Sequence, residues 1–230
     1  RDYVTWRFAR QWAMRIPRRQ LAVDRQTTET VWLAHLAKEW QFATSAPAKV
    51  CPPSADFPWA WSIVPWLDGS PAAIEPLSDQ GALELGWALR ALHQAAPVNA
   101  PTHPLRSQSL ATRAPRAHDR IATLHRRTDT SAWRLDAESA LRLYTRGASI
   151  PRPAATWCHL DLRSPHVLVA GGRLAGIIDW GDAAAADPAT DIGQVLTLLP
   201  PMQWDALAQG YGSLDVNTFE RARAEAIDFA

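Results

Sequence analysis

The chain has 230 residues, enough for one large domain or two small lobes with a buried core. Apolar residues make up 47% and charged residues 20%, the composition of an ordinary globular protein, not a disordered one. A formal net charge of +1 gives no electrostatic case for nucleic acid or an anionic membrane as partner, and no apolar run nears the roughly 20 residues that cross a bilayer. Two cysteines, Cys51 and Cys158, make no disulfide framework and point to a reducing, cytoplasmic setting. Lys38 and Lys49 are the only lysines, so arginine supplies nearly every cation. The start, Arg1 to Trp6, is polar and aromatic with no secretory signal. With no initiating methionine, a fragment or trimmed product is expected.

Val4, Trp6 and Phe8 alternate, as do Trp12, Met14 and Ile16. Val4 to Pro17 is therefore read as a β-hairpin that turns at Arg10-Gln11 and ends at Pro17. Thr28 to Trp40 reads as a helix, with Val31, Trp32, Leu33, Leu36 and Trp40 on its apolar face and Thr27 or Thr28 as its cap. Pro47 to Pro58 is a proline-rich connector, and Trp59 to Leu67 is a β-prone run closed by Asp68-Gly69. This order suits a small α/β lobe. Beyond Gly69, Ser78 to Ala95 reads as an amphipathic helix carrying Leu83, Leu85, Leu89 and Leu92. Ala96 to Pro115 is expected to be a loop. Helices are expected over Ala117 to His125 and Ala132 to Tyr144, and a hairpin over Thr156 to Asp179. Further helices are expected from Asp191 to Leu199, Trp204 to Tyr211 and Asn217 to Ala230, with no internal repeat.

One stretch carries the most chemistry. Cys158-His159-Leu160-Asp161-Leu162-Arg163-Ser164-Pro165-His166-Val167-Leu168-Val169 is a His-x-Asp loop entering an apolar strand. A Gly171-Gly172 turn follows, and a second strand ends on Ile178-Asp179. Two carboxylates thus stand at the mouth of one hairpin. Phosphoryl transfer from a nucleotide uses such a pair, one to orient and deprotonate a hydroxyl and one to hold magnesium. Asp161 fits the first role, and His159 fits bracing of the loop better than proton transfer. Asp179 fits the second, because a carboxylate ending an apolar strand is costly unless it meets backbone or metal. Magnesium takes such hard oxygens. A surface His and Asp in a turn, and a structural aspartate at a strand end, are the plain alternatives. Further on, Asp187-Pro188 forms a turn and Asp191 is read mainly as the cap of the next helix, with bracing of the loop as its second reading.

Together these pieces resemble the aminoglycoside phosphotransferase family, a branch of the protein-kinase-like fold. Its signature runs His-Gly-Asp-Leu-x-x-x-Asn-x-Leu-Val, then Ile-Asp-Trp or Ile-Asp-Phe, then Asp-Pro-x-x-Asp. Here it stands as His159 to Val169, Ile178-Asp179-Trp180, and Asp187-Pro188-Ala189-Thr190-Asp191. Met14 to Arg19, Glu29 to Leu33, Phe57 to Ser62 and Trp66 to Gly69 are also similar to a bacterial branch of the family, so the resemblance covers nearly the whole chain. It implies an α+β, bilobal, kinase-like fold. Residues 1–68 would form a β-rich nucleotide-binding lobe, incomplete at its start, and 69–230 a larger, mostly helical lobe for catalysis and acceptor binding. It implies Asp161, beside His159, as catalytic base and Asp179 as magnesium ligand. The nucleotide, ATP or GTP, would meet Arg15 as the phosphate-binding cation paired with Glu29. Its purine edge would meet the Pro65 carbonyl and Leu67 amide, with Ile63 and Trp66 lining the pocket. Plain core packing is the alternative for the aromatic residues.

Three features depart from that pattern. His166 replaces the asparagine that is the second magnesium ligand, and imidazole is the softer donor. Macrolide phosphotransferases are similar in carrying His there, which adds a macrolide to the candidate acceptors. Arg15 replaces the usual lysine, keeping the charge and changing the geometry, with Arg18 or Arg19 as possible helpers. No glycine-rich loop precedes Val4. On the acceptor side, Asp182 and a C-terminal segment with Asp205, Asp215, Glu220, Glu225 and Asp228 against Arg221 and Arg223 would suit a cationic amino-sugar, unless these are solvated helix faces. The expectation is a cytoplasmic, magnesium-dependent kinase of a small-molecule hydroxyl, an aminoglycoside or macrolide first, acting as a monomer or weak dimer. A metabolite kinase, a pseudokinase, and a transition-metal hydrolase built on His159, Asp161, His166 and Asp179 are the rival readings.

Overall fold

The computed structural model describes residues 2–128, 135–212 and 214–229. The alternating start folds as expected. β1 (Tyr3–Ala9) and β2 (Trp12–Pro17) pair antiparallel across the Arg10-Gln11 turn, with Val4 opposite Ile16 and Trp6 opposite Met14. β2 also pairs with β4 (Trp61–Pro65), which pairs with β3 (Lys49–Cys51), giving the sheet order β1-β2-β4-β3. The expected connector therefore contains a strand. Strand β2 buries its other face: Ala13, Arg15 and Pro17 are buried, while Trp12 is exposed. The large apolar residues sit outward because Arg15 has charged partners inward, described below.

The first helix starts earlier than its apolar face suggests. α1 (Gln20–Thr28) runs through a π-helical turn, Glu29–Leu33, into α2 (Ala34–Leu36) and a 3-10 turn, Ala37–Glu39. Thr27 and Thr28 lie inside it, not at its cap, and the Thr27 hydroxyl donates back to the Val23 carbonyl at 3.4 Å. The extra residue of a π turn rotates the helix face, and Glu29 and Leu33 are the two residues of that turn that are buried.

In the helical body, β5 (Ser70–Pro71), β7 (Val167–Ala170) and β8 (Arg173–Ile177) form one small sheet, and β6 (Thr156–Cys158) pairs with β9 (Ala184–Ala186). The β7–β8 hairpin turns at Gly171 and Gly172, both at positive φ (62° and 74°), as the sequence predicts for Gly-Gly. α3 (Asp79–Leu92) is capped by Ser78, whose side chain accepts the Gly81 N–H at 3.2 Å. α4 (Leu110–Thr128) begins inside the expected loop and holds Pro115, with Ser109 accepting the Thr112 N–H at 3.1 Å at its start. α5 (Ala137–Ala148) follows the Asp136 cap, and residues 132–134 of its expected span lie outside the described residues. α6 (Ala189–Leu196) is wholly buried, and α7 (Trp204–Tyr211) and α8 (Val216–Phe229) complete the body.

The core gathers Leu85, Leu89 and Leu92 of α3, Val167 and Val169 of β7, Ile192 and Val195 of α6, and Trp180. Burying each such side chain contributes about 1.5–3 kcal/mol. Trp180 stacks on Trp40 at 4.8 Å and against the His159 ring at 4.5 Å, so the core reaches under the His-x-Asp loop. No described helix is long and apolar enough to cross a membrane.

Candidate active site

The loop from His159 to His166 leaves β6 and enters β7, and α6 holds its backbone. Asp191 accepts the His159 N–H at 2.6 Å and the Leu160 N–H at 2.7 Å. Gln194 accepts the Leu162 N–H at 2.6 Å and donates to the Leu160 carbonyl at 2.9 Å. Asp191 is thus a loop brace, which corrects the reading of it as a helix cap. Asp187 takes the capping bond instead, from the Ala189 N–H at 3.0 Å. Burial alone would raise the Asp191 carboxyl, but His93 and the His159 N–H outweigh it and hold the group below the usual range.

His159 is fully buried and both ring nitrogens are committed to backbone. Nε2 donates to the Ile178 carbonyl at 3.0 Å, and Nδ1 accepts the Asp161 N–H at 3.2 Å. Burial lowers its pKa, so the ring stays neutral. Both bonds brace the loop through its backbone.

Asp161 and Asp179 meet across His166. The His166 Nδ1 bonds the Asp161 carbonyl at 2.7 Å and lies 3.3 Å from Asp161 Oδ2, while its Nε2 lies 3.3 Å from Asp179 Oδ2. Asp161 is also gripped by Arg163 (two contacts at 3.0 Å) and by Arg106 at 3.2 Å. Asp179 follows β8 at φ 66°, a conformation aspartate tolerates better than most residues. Its side chain is 43% exposed, far more open than Asp161 at 12%. Burial would raise the Asp179 carboxyl, but Arg15 and then His166 hold it below the usual range.

Arg15 bridges the sheet and the helical body. One arm meets Glu29 Oε1 at 2.6 Å and the other meets Asp179 Oδ1 at 2.6 Å, with the Tyr3 ring 4.0 Å beneath. Burial disfavours its charge, yet Glu29 and Asp179 more than restore it. Burial lifts the Glu29 carboxyl against the pull of Arg15.

Arg15, Asp161, Arg163, His166 and Asp179 line a cleft of roughly 760 Å³, inside the usual range of ligand sites. Val64, Pro65, Trp66 and Leu67 form its upper wall, and Leu168 and Ile178 its floor. Glycine at 176 allows this closure, since a Cβ there would lie 2.6 Å from Leu67 Cδ1. Ile63 is not part of the lining. Strand alternation turns its neighbour Val64 inward instead. Of the two helper arginines, Arg19 lines the cleft and Arg18 does not.

A second pocket of about 390 Å³ opens on the other side of Asp161. Asp182 borders both spaces and meets Arg25 at 3.1 Å. Four acids of the expected rim are engaged by partners within the fold. Asp215 caps α8 through the Thr218 N–H at 3.0 Å, Glu220 pairs with Arg146 at 3.2 Å, and Glu225 and Asp228 are buried on Arg113. Arg25, Arg106 and Arg163 border the site; Arg163 stands at an unassigned position of the His159 motif, while Arg25 and Arg106 have no motif and only their proximity in the fold reveals them. The hydrolase reading also fails, because His159 has no free nitrogen. Among the described residues the group within metal-ligand range is His93, Cys158 and Asp191, and both Asp191 oxygens already serve the loop.

The model of the phosphotransferase enzyme family matches residues 3–227. Macrolide 2'-phosphotransferase MphH from Brachybacterium faecium, as apoenzyme, is similar in structure with a TM-score of 0.65 at 20% identity, over 95% of this chain and 74% of that one. The GDP complex of aminoglycoside 2'-phosphotransferase-IIIa gives 0.69 at 20% identity, over 98% and 78%. Macrolide 2'-phosphotransferase type I gives 0.59 at 21% identity, over 99% and 84%. At such identities the likeness is one of fold, and it confirms the α+β, kinase-like architecture. No curated protein matches the chain in sequence. With the family model matched along almost its full length, the chain belongs to the phosphotransferase enzyme family and is a phosphotransferase with an alcohol group as acceptor.

Proposed function

We propose that the protein moves the γ-phosphoryl group of a purine nucleoside triphosphate, ATP or GTP, to a hydroxyl of a small molecule. The observation that carries this reading is the pair Asp161 and Asp179 on one cleft, joined through His166. Residues 1–68 would hold the nucleotide and 69–230 the acceptor, with Pro65 and Leu67 against the purine and Arg15 toward the phosphates. Asp161 accepts the hydroxyl proton as the acceptor oxygen bonds to phosphorus. The bond from the γ-phosphorus to the bridging oxygen breaks, and the nucleoside diphosphate leaves with that electron pair. Arg163 and Arg106 hold the Asp161 carboxylate in place for the approach.

The donors suit a divalent cation. Because a carbonyl only accepts, His166 Nδ1 carries a proton in its bond to Asp161, and its Nε2 lies 3.3 Å from Asp179 Oδ2. They offer one oxygen and one nitrogen donor 3.3 Å apart on the same cleft. Magnesium held by Asp179 and His166 would neutralise phosphate charge during transfer. The mixed oxygen and nitrogen pair also suits manganese.

For the acceptor, an aminoglycoside or macrolide is the first class to test, since the structural neighbours carry those names. A compact metabolite is the second, favoured by the small volume of the pocket beyond Asp161. Cys51 and Cys158 are free thiols, in keeping with work in a reducing cytoplasm. The test is mass spectrometry of candidate alcohols after incubation with magnesium and ATP or GTP. The wild type is expected to add one phosphoryl group. Asp161→Asn should slow that addition by about 10²–10⁴-fold with an unchanged melting temperature. Equal rates in the two proteins would remove Asp161 from its role.

A further inference from the structure

We propose that the acceptor carries a negatively charged group, a carboxylate or a phosphate, and that Arg116 of α4 is its counter-ion. This rests on the reading of Asp161 as base, and it names the chemistry of the pocket beside it. The pocket lies between α4, α6 and α8, with Thr190 and Gln194 of α6 on its wall and Leu105 and Phe229 as apolar lining.

The charges of this pocket can be counted. Its carboxylates are Asp161, Asp182, Glu225 and Asp228, and each already has an arginine. Asp161 is held by Arg163 and Arg106. Asp182 is held by Arg25 at 3.1 Å. Glu225 and Asp228 share the buried Arg113. Arg116 also faces the pocket and is exposed, and among the described residues it makes no hydrogen bond or ion pair. Five arginines against four carboxylates leave one positive charge, and it resides on the one guanidinium with nothing bound to it. The Glu225 carboxyl, pushed up to about 7 by burial, loses part of its charge near neutral pH and increases the excess.

A guanidinium offers two parallel N–H donors that match a carboxylate or phosphate edge. An amine-rich acceptor would find no unpaired carboxylate here and would meet Arg116 as a like charge, an arrangement that selects against it. The volume, about 390 Å³, is at the small end for ligand sites, which fits a compact molecule.

The experiment measures phosphoryl transfer by the full chain to four kinds of probe: glycerate or gluconate, a sugar phosphate, a neutral sugar, and kanamycin. Each is run with wild type, Arg116→Ala, Arg116→Lys and Asp161→Asn. The carboxylate and phosphate arms tell the two anion sources apart. An anionic probe is expected to be the best acceptor. Arg116→Ala should raise its KM by roughly 10- to 100-fold, leaving nucleotide KM near wild type, with Arg116→Lys recovering part of the loss. Preference for kanamycin or the neutral sugar, no use of any anionic probe, or an unchanged acceptor KM in Arg116→Ala would overturn the proposal. Transfer surviving in Asp161→Asn would instead sink the base assignment. A dead Asp161→Asn beside a silent Arg116→Ala would sink the counter-ion alone.

Discussion

Asp191 accepts the backbone N–H of Leu160 at 2.7 Å, and Leu160 sits at φ 67°. The resemblance would put glycine there, the residue at ease in this conformation. A leucine costs about 1–2 kcal/mol more in the left-handed region. Its side chain is fully buried with Cys158, Ala184 and Ala186, which contributes about 1.5–3 kcal/mol. Burial and the Asp191 bonds together outweigh the strain. Asp191→Ala strands two buried N–H groups, at about 1–3 kcal/mol each. Urea unfolding should show that loss, with slowed transfer. Unchanged stability would mean that the loop does not depend on this brace.

The Arg15–Glu29 pair makes a sharper stability prediction. Both side chains are buried, so Arg15→Met should cost about 3–5 kcal/mol by leaving the buried Glu29 without its counter-ion. Adding Glu29→Gln should recover part of that loss. A double-mutant cycle by urea denaturation checks it, and purely additive losses would contradict the coupling.

Acid and neutral pH should act through different groups. The Asp191 carboxyl is depressed, so its contribution is present above 3.8 and is lost as pH falls through the lower folded value. Glu225 runs the other way. Its folded pKa of about 7 exceeds its ordinary 4.5, so the native state keeps a proton that the unfolded state has released. Stability then declines as pH rises from 4.5 to 7. Glu225→Gln keeps an acceptor for Arg113 and removes the titration. Its melting temperature should be flatter than that of wild type over this window, and identical slopes would contradict the assignment.

His166 predicts a metal preference. With imidazole beside Asp179, manganese should support transfer at least as well as magnesium. His166→Asn restores a hard oxygen and should shift the activity ratio toward magnesium. Metal titrations of turnover would show this, and an unchanged ratio would place His166 outside the metal's reach.

Much of this was legible in the sequence where side chains repeat or turn. The alternation of Val4, Trp6 and Phe8 gave the hairpin, and Gly171-Gly172 gave the turn that puts Asp161 and Asp179 together. Local pattern could not show why α1 starts at Gln20, because that helix is held by a π turn that buries Glu29 for Arg15, a tertiary reason. It could not choose between Ile63 and Val64, since a strand's inward face is set by its neighbours. Nor could it show that Glu225 and Asp228, acidic letters on a helix, are spent on Arg113, which turns an expected acidic rim into an arginine-rich one.

The division of labour between the two aspartates is tested most directly by calorimetric titration of magnesium and nucleotide into Asp161→Asn and Asp179→Asn. The account predicts wild-type affinity for Asp161→Asn and a marked loss, with weakened metal dependence, for Asp179→Asn. Intact, equally metal-dependent binding in Asp179→Asn would contradict it.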